Sequence, residues 1–184
     1  MVTVLFLVCA VAGLAAAAAN GVTEPIIAQQ QAQALQQGLA EVLPEAASFD
    51  PVAAGELAGQ GEAVLSAWRA LDDGNQPVGV VVEAAPSGYG GPIRMLVGVT
   101  TDGTLRTMKI LSAANETPGL GAKVAEPAFQ GQFTGLKAGI TLVKGQAPTG
   151  NQIQAVTGAT ISSRAVLDGV NQALAAAAQL QEAR

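Results

Sequence analysis

The segment with the clearest capacity for chemistry is Thr157-Gly158-Ala159-Thr160-Ile161-Ser162-Ser163, which precedes an alanine-rich stretch with helical spacing. It combines small residues with side-chain hydroxyl groups. If a helix begins here, the segment presents those hydroxyls together with unpaired backbone N–H groups, which is a favourable place for a phosphate. The competing interpretation is plain helix capping, because Ser, Thr and Gly are favoured at any helix start.

The residue types that the chain lacks exclude several other kinds of site. It contains no His, which excludes Ser-His-Asp and Cys-His catalysis and imidazole metal sites. The single cysteine, Cys9, excludes disulfide frameworks, zinc knuckles and protein-ligated iron–sulfur clusters within the chain. A net charge of −5 and only six aromatic residues argue against a nucleic-acid partner. We expect no catalytic residues and no metal site.

The elements that must position the hydroxyl-rich segment are predicted to form an α+β fold with an antiparallel sheet and flanking helices. Alternating apolar residues and the turn residues between them predict four strands, at Val64–Leu71, Val78–Ala84, Ile93–Thr100 and Leu105–Leu111. The later elements are predicted as a helix at Val124–Phe133, a strand at Gly139–Lys144 and a helix at Ser162–Leu180.

The N-terminal residues 1–19 are apolar except for Thr3. Nineteen helical residues are long enough for the ~30 Å hydrocarbon core of a bilayer, so we predict a transmembrane anchor over residues 1–22. A cleavable secretion signal is the alternative, although no Lys or Arg precedes Arg69. Lipid attachment at Cys9 is a third interpretation.

The anchor and the secretion signal both place the folded domain outside the cytosol. The anchor predicts a single-pass protein of the inner (plasma) membrane, with its C-terminal domain on the periplasmic or extracytosolic side. Residues 23–61 are expected to be a connecting helix and linker. Thr23 is the predicted N-cap of that helix, Pro44 ends it, and the stretch that follows contains Pro and Gly.

Three segments together resemble the FMN-binding domain family. Thr157-Gly158-Ala159-Thr160, with the Ile-Ser-Ser that follows, resembles the covalent flavin motif of that family. Gly88-Tyr89-Gly90-Gly91-Pro92-Ile93 resembles its strand entry, and Glu116 to Lys123 resembles its glycine-rich loop. The family includes the G subunit of the Rnf ion-translocating electron-transport complex and the C subunit of the sodium-pumping NADH:quinone reductase, and the resemblance is closer to the former. The resemblance implies an FMN-binding domain over residues 62–184.

The resemblance implies a covalent cofactor on Thr160. In the family, the last Thr of the motif carries FMN through a phosphoester bond, which a separate flavin transferase makes with FAD as donor. The family motif usually has an acid three positions before its first Ser or Thr, where this chain has Gln154. The other expected cofactor-binding residues of this segment are Thr157, Gly158, Ala159 and Ser162.

The loop Glu116–Lys123 and Tyr89 are the remaining candidates for flavin contacts. Gly119 and Gly121 let the backbone approach a flat ligand closely. Glu116 and Thr117 would bond polar edges of the flavin ring, Leu120 would cover its face, and Lys123 would offset negative charge on reduction. The alternative is a tight turn with a solvated lysine, and Tyr89 has the alternative of packing at the sheet edge. We expect Arg69, Arg94 and Arg106 to be exposed strand residues, one of which could pair with the phosphate.

The function that the resemblance implies is electron transfer without an independent active site. The chain would pass electrons between covalent FMN and cofactors in neighbouring membrane, iron–sulfur and flavin subunits of an Rnf-type complex, coupled to sodium or proton movement. A component like the C subunit of the sodium-pumping quinone reductase and a free-standing anchored flavin carrier are alternatives. A flavin-free extracytosolic scaffold is the alternative from a different class.

Overall fold

The computed structural model describes residues 2–57 and 59–182. The chain divides into two compact units, Met1–Gln36 and Gln37–Arg184. One long helix, α1 (Val2–Val42), accounts for the first unit and contributes its last residues to the second. The predicted helix start at Thr23 is wrong, because α1 runs through it without a break. The alanine run over residues 15–19 and the glutamine-rich run over residues 28–37 favour helix. They outweigh Asn20, Gly21 and Pro25, which disfavour it, and the single capping signal.

Among residues 2–57 and 59–182, no helix is both long enough and apolar enough to cross a membrane. The anchor over residues 1–22 and the connecting segment over residues 23–61 stay predictions.

The sheet of the second unit is antiparallel, as the sequence predicts. Its strands follow chain order from edge to edge: β1 (Ser48–Pro51), β2 (Val64–Leu71), β3 (Pro77–Ala84), β4 (Arg94–Thr100) and β5 (Leu105–Ser112). The four predicted strands are therefore confirmed, with small changes at their ends. The edge strand β1 was not predicted, because its four residues show no alternation and include a proline, which an edge strand tolerates.

The chain after the sheet differs more from the prediction. A 3₁₀ turn (Gly121–Ala125), a short helix α2 (Pro127–Gln130) and a second 3₁₀ turn (Gly131–Phe133) replace the predicted helix over Val124–Phe133. The helix is broken at Glu126, which is extended because Pro127 follows it.

Two further strands and the last helix complete the second unit. The strand predicted at Gly139–Lys144 is shorter, β6 (Thr141–Val143), and it pairs in parallel with the unpredicted β7 (Gln152–Gln154). Gly139 has a φ of +84°, which takes it out of the strand conformation. The predicted last helix is confirmed as α3 (Thr160–Glu182).

Each face of the sheet packs against a helix. On one face, the buried stripe Val166, Val170 and Leu174 of α3 joins the core that includes Val82 and Val97. On the other face, the end of α1 lies so close that a Cβ on Gly98 would stand 2.3 Å from the carbonyl oxygen of Val42. A Cβ on Gly38 would likewise stand 2.7 Å from Leu96 Cδ1. Glycine at these positions is what lets helix and sheet approach.

Ion pairs hold the end of α1 and the residues after it against β5. Lys109 Nζ lies 2.5 Å from Glu41 Oε2, and Arg106 Nε lies 2.7 Å from Glu45 Oε1. The hydrogen bond from Arg106 lowers the pKa of Glu45 below its usual value. All four side chains are at least one-third exposed, so each pair adds little to the free energy of unfolding.

We predict that Gly98→Ala destabilises the fold by about 1–3 kcal/mol, because the added methyl group must displace the backbone of Val42. The control is Gly131→Ala, where a Cβ meets nothing within 4 Å and the backbone is already helical. That variant should be neutral or more stable by about 0.4–1 kcal/mol. Urea unfolding followed by circular dichroism measures both, and equal free energies of unfolding for the two variants would contradict the close packing.

Candidate functional site

Three chain segments meet at the start of α3 and enclose a cavity of about 530 Å³. They are the loop between β3 and β4, the loop after β5, and the turn that leads into α3. A cavity of this size can hold a small organic ligand. The lining residues are Tyr89, Glu116, Thr117, Leu120, Gly121, Gly158, Ala159, Thr160, Ile161 and Ser162.

Most of the residues that the sequence nominated for a cofactor site line this one cavity. They come from three parts of the sequence that are far apart, so their convergence is a property of the fold. Thr157, Gly119 and Lys123 are nominated residues that do not line it. Lys123 instead lines a separate cavity together with Gln154, the position at which the family motif usually has an acid.

The buried carboxylate of Glu116 connects all three segments. Its side chain accepts a 2.5 Å hydrogen bond from the Ser162 hydroxyl at Oε2 and a 3.1 Å hydrogen bond from the Gly90 N–H at Oε1. The residue is only 3% exposed, and a buried carboxylate requires such partners. Glu116 therefore positions the walls of the cavity. Its predicted bond to a polar edge of the flavin ring stays a prediction.

The glycines around Glu116 are required by close packing. A Cβ on Gly90 would lie 1.8 Å from the carbonyl oxygen of Asn115, and a Cβ on Gly121 would lie 2.2 Å from Glu116 Oε2. Gly119 is different, because it has a φ of +75° and open space around it. Gly121 thus serves the packing of Glu116, and Gly119 serves the turn itself. That the two glycines also let a ligand approach stays a prediction.

The turn before α3 is supported by Ser163 and leaves Thr160 free. Ser163 Oγ accepts a 3.0 Å hydrogen bond from the Val156 N–H and donates one of 2.9 Å to the Ala159 carbonyl. Among the described residues, the Thr160 hydroxyl has no hydrogen-bond partner. The backbone N–H groups of Thr160, Ile161 and Ser162 likewise have no acceptor in this part of the chain, as is usual for a helix start. Capping alone therefore does not account for Thr160.

Large apolar side chains stand exposed at the rim of the cavity. Tyr89 is 69% exposed, Ile161 58% and Leu120 45%. Leu120 also closes over the turn, since its Cδ2 lies 3.1 Å from where a Cβ on Gly158 would be. A hydroxyl and free N–H groups at one end, with apolar side chains beside them, suit a ligand that combines an anionic group with a flat ring.

A second cavity of about 450 Å³ shares Thr160 and Ile161 with the first. Its lining also includes Lys144, Arg164 and Asp168. Sequence reasoning missed Lys144 and Arg164. Arg164 could have been found, because it lies four residues after Thr160 and hence on the same side of the helix.

The arginines that the sequence nominated as phosphate partners lie elsewhere. Arg69, Arg94 and Arg106 are strand residues, as predicted, but only Arg106 is exposed, and each forms an ion pair with a glutamate. The pairs are Arg69–Glu56 at 2.6 Å, Arg94–Glu83 at 2.5 Å and Arg106–Glu45 at 2.7 Å. None of the three lines either cavity beside Thr160.

Comparison with known proteins agrees with this site. A family model described as the FMN-binding domain matches residues 88–175, a range that contains all three segments. The chain is 40% identical over 171 residues to the G subunit of the proton-translocating ferredoxin:NAD(+) oxidoreductase complex of Clostridium ljungdahlii, covering 92% of this chain and 86% of the relative. It is 38% identical over 183 residues to the G subunit of the Na(+)-translocating ferredoxin:NAD(+) oxidoreductase complex of Acetobacterium woodii, covering 93% and 87%.

Solved structures share the fold over a smaller region. The C subunit of the Na(+)-translocating NADH-quinone reductase of Parabacteroides distasonis superposes with a TM-score of 0.54 at 26% identity, covering 65% of this chain and 63% of that one. NqrC of Shewanella oneidensis superposes with a TM-score of 0.57 at 24% identity, covering 65% and 61%. This chain thus spans less than two-thirds of either solved chain.

We predict that Ser162→Ala lowers the free energy of unfolding by about 1–3 kcal/mol, because the buried Glu116 carboxylate loses a hydrogen bond. Glu116→Gln should cost a similar amount, and the double variant should cost less than the sum. Urea unfolding of the four proteins gives the coupling energy, which should exceed about 0.5 kcal/mol. Thr157→Ala, exposed and outside the cavity, is the neutral control. Strict additivity would show that Ser162 and Glu116 do not support each other.

Proposed function

Because the chain belongs to the G-subunit family of ion-translocating oxidoreductase complexes, we propose that it carries FMN and transfers electrons within an Rnf-type complex. The relatives named as G subunits align with more than nine-tenths of this chain, and the FMN-binding domain match spans the cavity. The observation that carries the proposal is the cavity itself, which brings Thr160 together with most of the other nominated residues.

The residues of the cavity fit FMN. The phosphate would lie at the start of α3, where Thr160 offers a hydroxyl and its neighbours offer free N–H groups. The ring would lie along the apolar side chains of Tyr89, Leu120 and Ile161. FMN supplies one- and two-electron redox chemistry, and the residues of the chain supply its position and partial cover.

We propose that the flavin is attached covalently to Thr160. A flavin transferase with FAD as donor would join Thr160 Oγ to the FMN phosphorus. The bond from that phosphorus to AMP would break, and AMP and the hydroxyl proton would leave. The unused Thr160 hydroxyl and its half-exposed position support this reaction, because an external enzyme must reach the oxygen.

We also propose that the N-terminal residues hold the protein at the inner (plasma) membrane, with the flavin domain on the extracytosolic side. Large apolar side chains near the start of α1 are exposed, for example Val2 at 83%, Phe6 at 74% and Leu14 at 72%. An exposed apolar run of this kind suits contact with lipid or with the apolar surface of another membrane subunit. The other membrane, iron–sulfur and flavin subunits of the complex are the expected partners.

The two flavin-binding alternatives would use the same cavity and would differ from an Rnf-type subunit in their partner proteins. A component like the C subunit of the quinone reductase, or a free-standing flavin carrier, would bind FMN in the same way but would assemble differently. A scaffold without flavin would keep the fold and lose the cofactor. The identity to the two G subunits over nearly the whole chain favours the Rnf-type assignment.

We predict that the chain, co-expressed with a matching flavin transferase, gains one FMN that remains on the protein in a denaturing gel. Thr160→Ala should abolish this flavin fluorescence, because the hydroxyl that forms the ester is gone. Thr157→Ala is the matched control, since it removes a neighbouring hydroxyl outside the cavity and should retain flavin. A gel-stable flavin on Thr160→Ala would place the bond on another hydroxyl, and a wild-type chain without flavin would favour the scaffold.

We predict that the full chain sediments with membranes and is released by detergent but not by high salt. A chain lacking residues 2–19 should remain soluble, because it loses the run of exposed apolar side chains between Val2 and Leu14. Fractionation followed by immunoblotting measures this. A mature protein that begins near Asn20 and is soluble would overturn the anchor and identify a cleaved secretion signal.

A further inference from the structure

The cations of this acidic chain are paired almost everywhere except near Thr160. Nine Lys and Arg residues occur in the sequence, and Arg184 lies outside the described residues. Five of the other eight form ion pairs with carboxylates: Arg69, Arg94, Arg106, Lys109 and Lys137. Within the described part of the chain, Lys123, Lys144 and Arg164 have no such partner.

Two of these three cations line the same cavity as Thr160. Arg164 lies one turn into α3, and Lys144 directly follows β6. The 2.9 Å hydrogen bond from the Ala155 N–H to the Val143 carbonyl holds the end of β6 beside the turn that leads to Thr160. The fold therefore brings Lys144 to Thr160 across sixteen residues of sequence.

The charge in this cavity favours an anion. Lys144 and Arg164 contribute two positive charges and Asp168 one negative charge, so the lining is net positive in a chain with a net charge of −5. Among the described residues, no cation lines the cavity that contains Tyr89 and Leu120 and shares Thr160. The two cavities that share Thr160 thus differ in chemistry, one apolar at its rim and one cationic.

We propose that Lys144 and Arg164 form a phosphate subsite that holds the phosphate of the flavin nucleotide beside Thr160. The inference rests on the proposed function, because it places the phosphate of FMN at Thr160. Arg164 offers a planar fork of N–H donors and Lys144 a compact ammonium group, and both bind phosphate oxygens well. They are positioning residues, since the bond to the flavin is made by Thr160 alone.

The test compares FMN with riboflavin, which lacks only the phosphate. Apo chain, made without a flavin transferase, is titrated with each flavin in low salt, and binding is followed by flavin fluorescence. We expect FMN to bind at least about tenfold more tightly than riboflavin, as charge-assisted contacts to a phosphate would provide. In the double variant Lys144→Gln/Arg164→Gln this ratio should fall at least about threefold, because only the N–H groups at the start of α3 still contact the phosphate, while riboflavin affinity stays unchanged.

Matched variants separate a local subsite from a general charge effect. Lys137→Gln removes an exposed cation that pairs with Asp102, in the hairpin between β4 and β5, and should keep the ratio. Asp168→Asn removes the negative charge from the cationic cavity and should raise the ratio. Equal binding of FMN and riboflavin, no binding of FMN, or an equal loss in Lys137→Gln would each overturn the subsite. Circular dichroism establishes that each variant is folded.

Failure of the subsite and failure of the covalent proposal are distinguishable. The same variants are co-expressed with the transferase and examined for flavin on a denaturing gel. If the wild-type chain carries gel-stable flavin, but the double variant keeps the same preference for FMN over riboflavin, only the subsite is wrong. If the wild-type chain carries no gel-stable flavin, but the preference for FMN over riboflavin falls in the double variant, only the covalent attachment is wrong.

Discussion

The buried carboxylate of Glu116 is the constraint on which the whole site depends. A polar group with so little exposure must form hydrogen bonds within the protein, and here the donors are Ser162 on α3 and the backbone N–H of Gly90. Both donors can reach it only because Gly88 and Gly121 carry no side chain. This one buried side chain thereby links three loops that the sheet alone does not hold together.

The residues that hold the site together are different from the group that is available to react. Glu116, Ser162 and Ser163 are satisfied by bonds within the protein, whereas the Thr160 hydroxyl is not, among the residues that the structure describes. The side chains that look most reactive in the sequence therefore include several that are structural. What remains free at the start of α3 is a hydroxyl, a few N–H groups and the cations of the adjoining cavity, and these are the groups that a phosphate would use.

The sequence predicts the sheet well because antiparallel strands leave a strong alternating pattern between clear turns. It also predicts the helix that follows the Thr160 segment, because the alanine-rich run there has helical spacing. It misses β7, whose three residues show no pattern, and it cannot place Lys144, whose position depends on the parallel pairing of β6 with β7. The sequence also does not predict the packing role of Gly121, since only the fold shows that Glu116 lies against it. Contacts between distant segments are the part that local patterns do not encode.

The exposed rim formed by Tyr89, Leu120 and Ile161 affects how the cavity keeps a ligand and how other molecules reach that ligand. A pocket that holds a ligand by contacts alone must enclose it, which slows its loss but also keeps other molecules away. A ligand tethered by one covalent bond stays at a high effective concentration however open the pocket is. With the proposed tether at Thr160, retention of FMN would no longer require enclosure, and one side of the flavin ring would be accessible to successive redox partners.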